Sequence, residues 1–83
     1  MGSKKLLKKL AEFFDLDARA RQKRKDELNE LLSRLKSKEE ELKLERELET
    51  DEEQLKQLEK KIDLVHSQRK KGITLLKEIS HEA

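Results

Sequence analysis

Two imidazoles, His66 and His81, are the residues in this chain best suited to metal binding or proton transfer. Histidine ligates metals and moves protons near neutral pH. The two stand 15 positions apart, which repeats no metal motif. Asp63 precedes His66 by three residues, one turn of a helix, but a lone pair is a weak signal where a closed zinc site needs four donors. Both histidines therefore read as surface residues. The chain has no Cys, which excludes disulfides and thiolate metal sites. It also lacks a glycine-rich phosphate loop and a nucleophile beside a base. The expectation is a non-enzymatic protein with no metal and no cofactor.

Binding chemistry has more to work with. The stretch RARQKRKDE, residues 19–27, holds five basic residues in seven positions: Arg19, Arg21, Lys23, Arg24 and Lys25. Such a run can neutralise nucleic-acid phosphates. Single-strand and base recognition usually add aromatic or Asn/Gln contacts, and the nearest aromatic is Phe14. A net charge of only +2 also argues against a general polyanion binder. Arg69, Lys70 and Lys71 form a second, shorter basic run.

The stretch KKLLKKLAEFFDL, residues 4–16, contains both phenylalanines. At 100° per residue, Leu6, Leu7, Leu10, Phe13 and Phe14 fall within an arc of about 120°, with every Lys outside it. This is an amphipathic helix with an anchoring face. That face can pack on the rest of the chain, on a protein partner or a second copy, or in a membrane interface. Packing on protein is the ordinary use of such a face.

The elements that carry these residues follow from composition and spacing. Of 83 residues, 48% are charged and 33% hydrophobic, and Pro and Trp are absent. That composition suits long helices or coiled coils. A chain this short is expected to bury its leucines by self-association, because small domains bury little of their surface. Charge is strongly patterned: residues 1–25 carry nine Lys/Arg and three Asp/Glu, residues 26–59 six and thirteen, and residues 60–83 six and three.

Asp15 and Asp17 interrupt the first helix, and Asp17 is a candidate N-cap for a second one. From residue 18 to 49, Leu28, Leu31, Leu35 and Leu42 share a seam, with Leu32 beside it and Lys38 and Glu45 in the intervening core-type places. From residue 48 onward a heptad frame holds Leu48, Leu55, Leu58, Ile62, Val65, Leu76 and Ile79, with Arg69 and Gly72 as exceptions. The two frames are one residue out of step. Thr50 and Glu53 form a capping box at the slip, and residues 18–49 and 51–80 are arms of nearly equal length. These features favour a hairpin reversing near residue 50, although no Gly or Pro marks the bend and Ser37–Glu40 has the same capping-box form; the other reading of the slip is a local change of winding in one continuous coiled coil. In the hairpin, residue i faces roughly residue 100 − i, which gathers both basic runs at one end and the acidic middle at the bend. Gly72 either permits a close backbone approach or ends the helix before ITLLKEIS.

The predicted protein is all-α: a short amphipathic helix (4–16), then a long antiparallel, coiled-coil-like hairpin (17–83), assembling into a helical bundle. Its oligomer core comprises Leu28, Leu31, Leu35, Leu55, Leu58, Ile62, Val65, Leu76 and Ile79. Residues 1–3 have the form of an expression-tag remnant. Leu6 stands where N-myristoylation wants Ser or Thr. No apolar run approaches the roughly 20 residues of a membrane span or the shorter core of a signal peptide. The implied role is that of a cytoplasmic scaffold or adaptor working through self-association and protein binding. The alternative is a module whose basic end and first helix meet a membrane surface or nucleic acid.

Overall fold

The computed structural model describes residues 3–82; Met1 and Gly2 of the expected remnant, and Ala83, lie outside the described residues. Four helices follow in order: α1 (Ser3–Phe14), α2 (Ala18–Lys23), α3 (Lys25–Leu48) and α4 (Glu52–Glu82). α3 and α4 form the antiparallel hairpin, and α1 packs against both of them. The rod measures 48 × 18 × 17 Å, close to the length that about 30 helical residues span.

Each helix end has an identifiable cause. After Phe14 the chain tightens into i→i+3 bonds, with Asp15 N donating to the Glu12 carbonyl and Leu16 N to the Phe13 carbonyl, both at 3.2 Å. Asp17 caps α2 as expected: its Oδ1 accepts from Ala20 N at 2.8 Å. The long helix expected over residues 18–49 is instead divided at Arg24, whose backbone (φ −107°, ψ 19°) leaves helical geometry. There Arg24 N is shared between the carbonyls of Ala20 and Arg21. The division turns α2 across the end of α4, where Gln22 Nε2 donates to the Ile79 carbonyl at 2.7 Å.

The bend falls where the register slip placed it, but its cap differs. Glu49 is extended (φ −81°, ψ 133°), and its Oε1 accepts from the backbone N of both Thr50 and Asp51 at 3.1 Å. The N-cap of α4 is Asp51, not Thr50: its side chain accepts from Glu53 N at 3.2 Å and its carbonyl from Leu55 N at 2.9 Å. Glu52 and Glu53 follow in the first turn, where negative charge suits the helix dipole. Among the described residues none takes a positive φ, which explains a reversal made without glycine.

The chain buries its own leucines, contrary to the expectation that a partner copy must do so. Leu28, Leu31, Leu35, Leu58, Ile62, Val65 and Ile79 are buried within one molecule, joined by Leu10, Phe13, Leu32, Leu42 and Leu75. Part of the reason is α1, which packs on both long helices and brings Leu10 to the Gly72 junction beside Leu32. Leu76 and Leu55, expected in the core, are only half-buried. Leu48, placed in the core frame by spacing, is 84% exposed because α3 ends there.

Gly72 lies inside α4, and the helix runs on past it to Glu82. A Cβ at Gly72 would sit 2.5 Å from Leu32 Cδ2 and 3.1 Å from Leu10 Cδ1. It is therefore the point of close approach among α1, α3 and α4, and not a helix end.

Candidate functional site

Glu39 is the only buried charged residue among those described, at 2% exposure. It follows Leu28, Leu32 and Leu35 at alternating four- and three-residue steps, which turns it toward α4. His66 and Arg69, nearly one turn apart on α4, meet it there. Glu39 Oε1 lies 2.7 Å from His66 Nδ1, and Oε2 accepts from Arg69 Nη2 at 3.0 Å. Lys43 Nζ stands 3.8 Å from Oε2, one turn further along α3. An ionised carboxylate can only accept, so the shared proton belongs to His66 Nδ1.

Burial alone would push the Glu39 pKa up. The His66 hydrogen bond, followed by the charge and hydrogen bond of Arg69, outweighs burial and holds it below the usual carboxylate value. Arg69 Nε is buried without a hydrogen-bond partner. The cluster links the two arms at a single register, with His66 Nδ1, Arg69 Nη2 and Lys43 Nζ converging on the one carboxylate. Among the described residues no group of three or more His, Asp or Glu is placed to hold a metal ion. Asp63 and His81 are exposed. His66 is thus an interhelical hydrogen-bonding residue and not the free surface histidine expected from spacing.

The expected basic patch is partly consumed by the fold. Arg21 donates to the Phe13 and Phe14 carbonyls at 3.2 and 2.9 Å, capping α1. Arg24 lies over the Phe13 ring, 4.8 Å from its centroid, and pairs with Glu27 at 3.0 Å. Arg69 is committed to Glu39. Arg19, Lys23, Lys70 and Lys71 remain exposed, and Lys25 is half-buried. Arg21 and Lys71 line one recess of about 280 Å³ with Phe14, so the two basic runs do meet at one end.

The apolar face of α1 is likewise spent within the chain. Leu10 and Phe13 are buried, and Leu6 and Leu7 pack against the core. They are not a free anchor for a membrane or partner; of the five residues only Phe14, 38% exposed, faces outward to any extent. A groove of about 340 Å³ runs between α1 and α3 beside Leu6, Phe13 and Leu31. The large exposed apolar residues lie elsewhere: Leu44 at 61%, Leu48 at 84% and Leu64 at 51%. No helix among the described residues is long and apolar enough to cross a membrane.

No family model matches the chain, and searches of curated proteins and of solved structures return no match either.

Proposed function

We propose that this protein is a non-enzymatic helical scaffold or adaptor that works by self-association and protein binding, in a cytoplasmic setting. The observation that carries this reading is the pair Leu44 and Leu48, separated by one turn on the outer face of α3 and 61% and 84% exposed. Leucines placed on the outside of a rod whose own core is already filled suit contact with another protein. Sedimentation equilibrium over a micromolar range tests the self-association. The wild type is expected to exceed its 9.9 kDa chain mass, and Leu44→Lys with Leu48→Lys to reduce it to that mass with helicity unchanged. A 9.9 kDa wild-type species throughout would sink that part of the reading.

The exposed Arg19, Lys23, Lys70 and Lys71 support a second reading, contact with an anionic membrane surface or nucleic acid. Burial of Leu10 and Phe13 leaves such contact to charge alone, so it should vanish at high salt. Liposome co-sedimentation and a nucleic-acid gel shift at two salt concentrations test it.

A further inference from the structure

The two ends of the rod are chemically complementary. Leaving aside the Glu39–Arg69 pair between the arms, the bend half, residues 40–59, holds nine Asp/Glu against three Lys/Arg. The opposite end, residues 14–25 with 70–81, holds eight Lys/Arg against three Asp/Glu. Each end also carries apolar surface. The acidic end has Leu44 and Leu48, the second being the last residue of α3. The basic end has Phe14, 38% exposed at the rim of the recess lined by Arg21, Lys71, Thr74, Leu75 and Glu78. At about 280 Å³ that recess has room for a leucine side chain. Glu78 is its one acidic wall, opposed by Arg21 and Lys71.

We infer that a second copy of this chain is the occupant of that recess. The acidic bend of one molecule seats on the basic end of the next, with Leu48 entering beside Phe14. The inference rests on the self-association proposed above and specifies its geometry. A molecule 48 Å long cannot bring its own two ends together, and pairing like ends would set like charges against each other. Joined end to end in this way the contact is heterologous, and a straight rod with one such site at each end adds molecules without closing, whereas an antiparallel side-by-side pair would close at two. Most of the opposed charges are exposed, so salt screens their attraction.

The test uses the full chain and two variants, each confined to one end. Leu44→Lys with Leu48→Lys alters the acidic end; Lys71→Glu with Thr74→Glu alters the basic end at exposed positions. Circular dichroism establishes that both remain folded. In sedimentation at about 0.01 M salt the wild-type mass should rise continuously with concentration, and at about 1 M, where the Debye length falls from about 30 to about 3 Å, association should weaken roughly tenfold or more. Each variant alone should be monomeric. An equimolar mixture should form a one-to-one dimer, since each variant keeps the end that the other lacks. A mixture that stays monomeric overturns the inference, as does a wild type that stops at a discrete dimer. If the wild type associates but neither variant changes it, the end-to-end contact is wrong while self-association stands. A wild type monomeric at every salt concentration removes both. A basic peptide helix that binds the acidic end of a non-associating chain would identify a foreign partner and likewise overturn it.

Discussion

Glu39 and His66 meet at 2.7 Å across the two long helices, joining a buried carboxylate on α3 to a half-exposed imidazole on α4. With Arg69 on the second oxygen, this contact fixes which turn of one arm lies beside which turn of the other. A buried ion pair is weak support for stability as such, but removing one partner strands the others.

Glu39 makes the stability of the fold depend on acid. Its folded pKa lies below the ordinary carboxylate value, so its stabilising contribution is fully present above the unfolded pKa and is lost as pH falls through the folded one. The melting temperature should therefore drop as pH goes below about 4.5. Glu39→Gln should lower the melting temperature at neutral pH and flatten that acid limb. Parallel limbs in the two proteins would show that other carboxylates control it.

Removing the carboxylate should cost more than removing any surface acid. Glu39→Ala leaves Arg69 partly buried without its acceptor, a loss of about 1–3 kcal/mol. Urea denaturation of Glu39→Ala beside Glu52→Ala checks this; Glu52 is exposed and should be nearly neutral. Indistinguishable midpoints would remove the cluster from the stability account.

Gly72 should not tolerate a branched side chain. A Cβ there already lies 2.5 Å from Leu32 Cδ2, so Gly72→Val overpacks the junction by about 1–3 kcal/mol, more than the roughly 0.5–1 kcal/mol by which leaving glycine usually helps a helix. The strain falls on Leu10 and Leu32, so α1 should loosen first. Amide exchange over residues 6–14 should accelerate in Gly72→Val relative to exchange over residues 55–65. Uniform acceleration would mean that α1 and the hairpin open together.

The seam of the hairpin is the most vulnerable surface. Leu58→Asp or Ile62→Asp places a carboxylate at a position buried within one molecule, which costs several kcal/mol or forces protonation. Thermal melts should fall steeply for both. Wild-type melting temperatures would show that these residues face outward.

The hairpin was legible because three local signals coincide: a register slip, a capping box at Thr50–Glu53, one residue away from the cap Asp51 that the structure uses, and arms of matched length. The Glu39 cluster was not. Residues 38 and 39 are both charged, as are 45 and 46, so apolar periodicity cannot say which of each pair turns inward. The choice is made by His66 and Arg69, nearly thirty residues away, and only the folded pairing brings them together. α1 shows a related limit. Its arc of leucines and phenylalanines identified a face to be covered, but the covering surface is created by the hairpin, as is the crowding at Gly72. Leu48 was misassigned for another reason: the second heptad frame was counted from it, but it is the last residue of α3, outside the α4 helix that carries the rest of that frame.

The reversal between α3 and α4 uses three residues, Glu49, Thr50 and Asp51, and none of them adopts a backbone conformation reserved for glycine. Their hydrogen bonds are local, from Glu49 Oε1 to Thr50 N and Asp51 N and from Asp51 to the first turn of α4. None of them joins α3 to α4, so the pairing of the arms is imposed by the seam and the Glu39 contacts. Such a site is permissive to grafting: a flexible peptide inserted at Thr50 adds only a slowly growing loop-closure entropy, and the two arms would still find the same register with a cargo displayed at their tip.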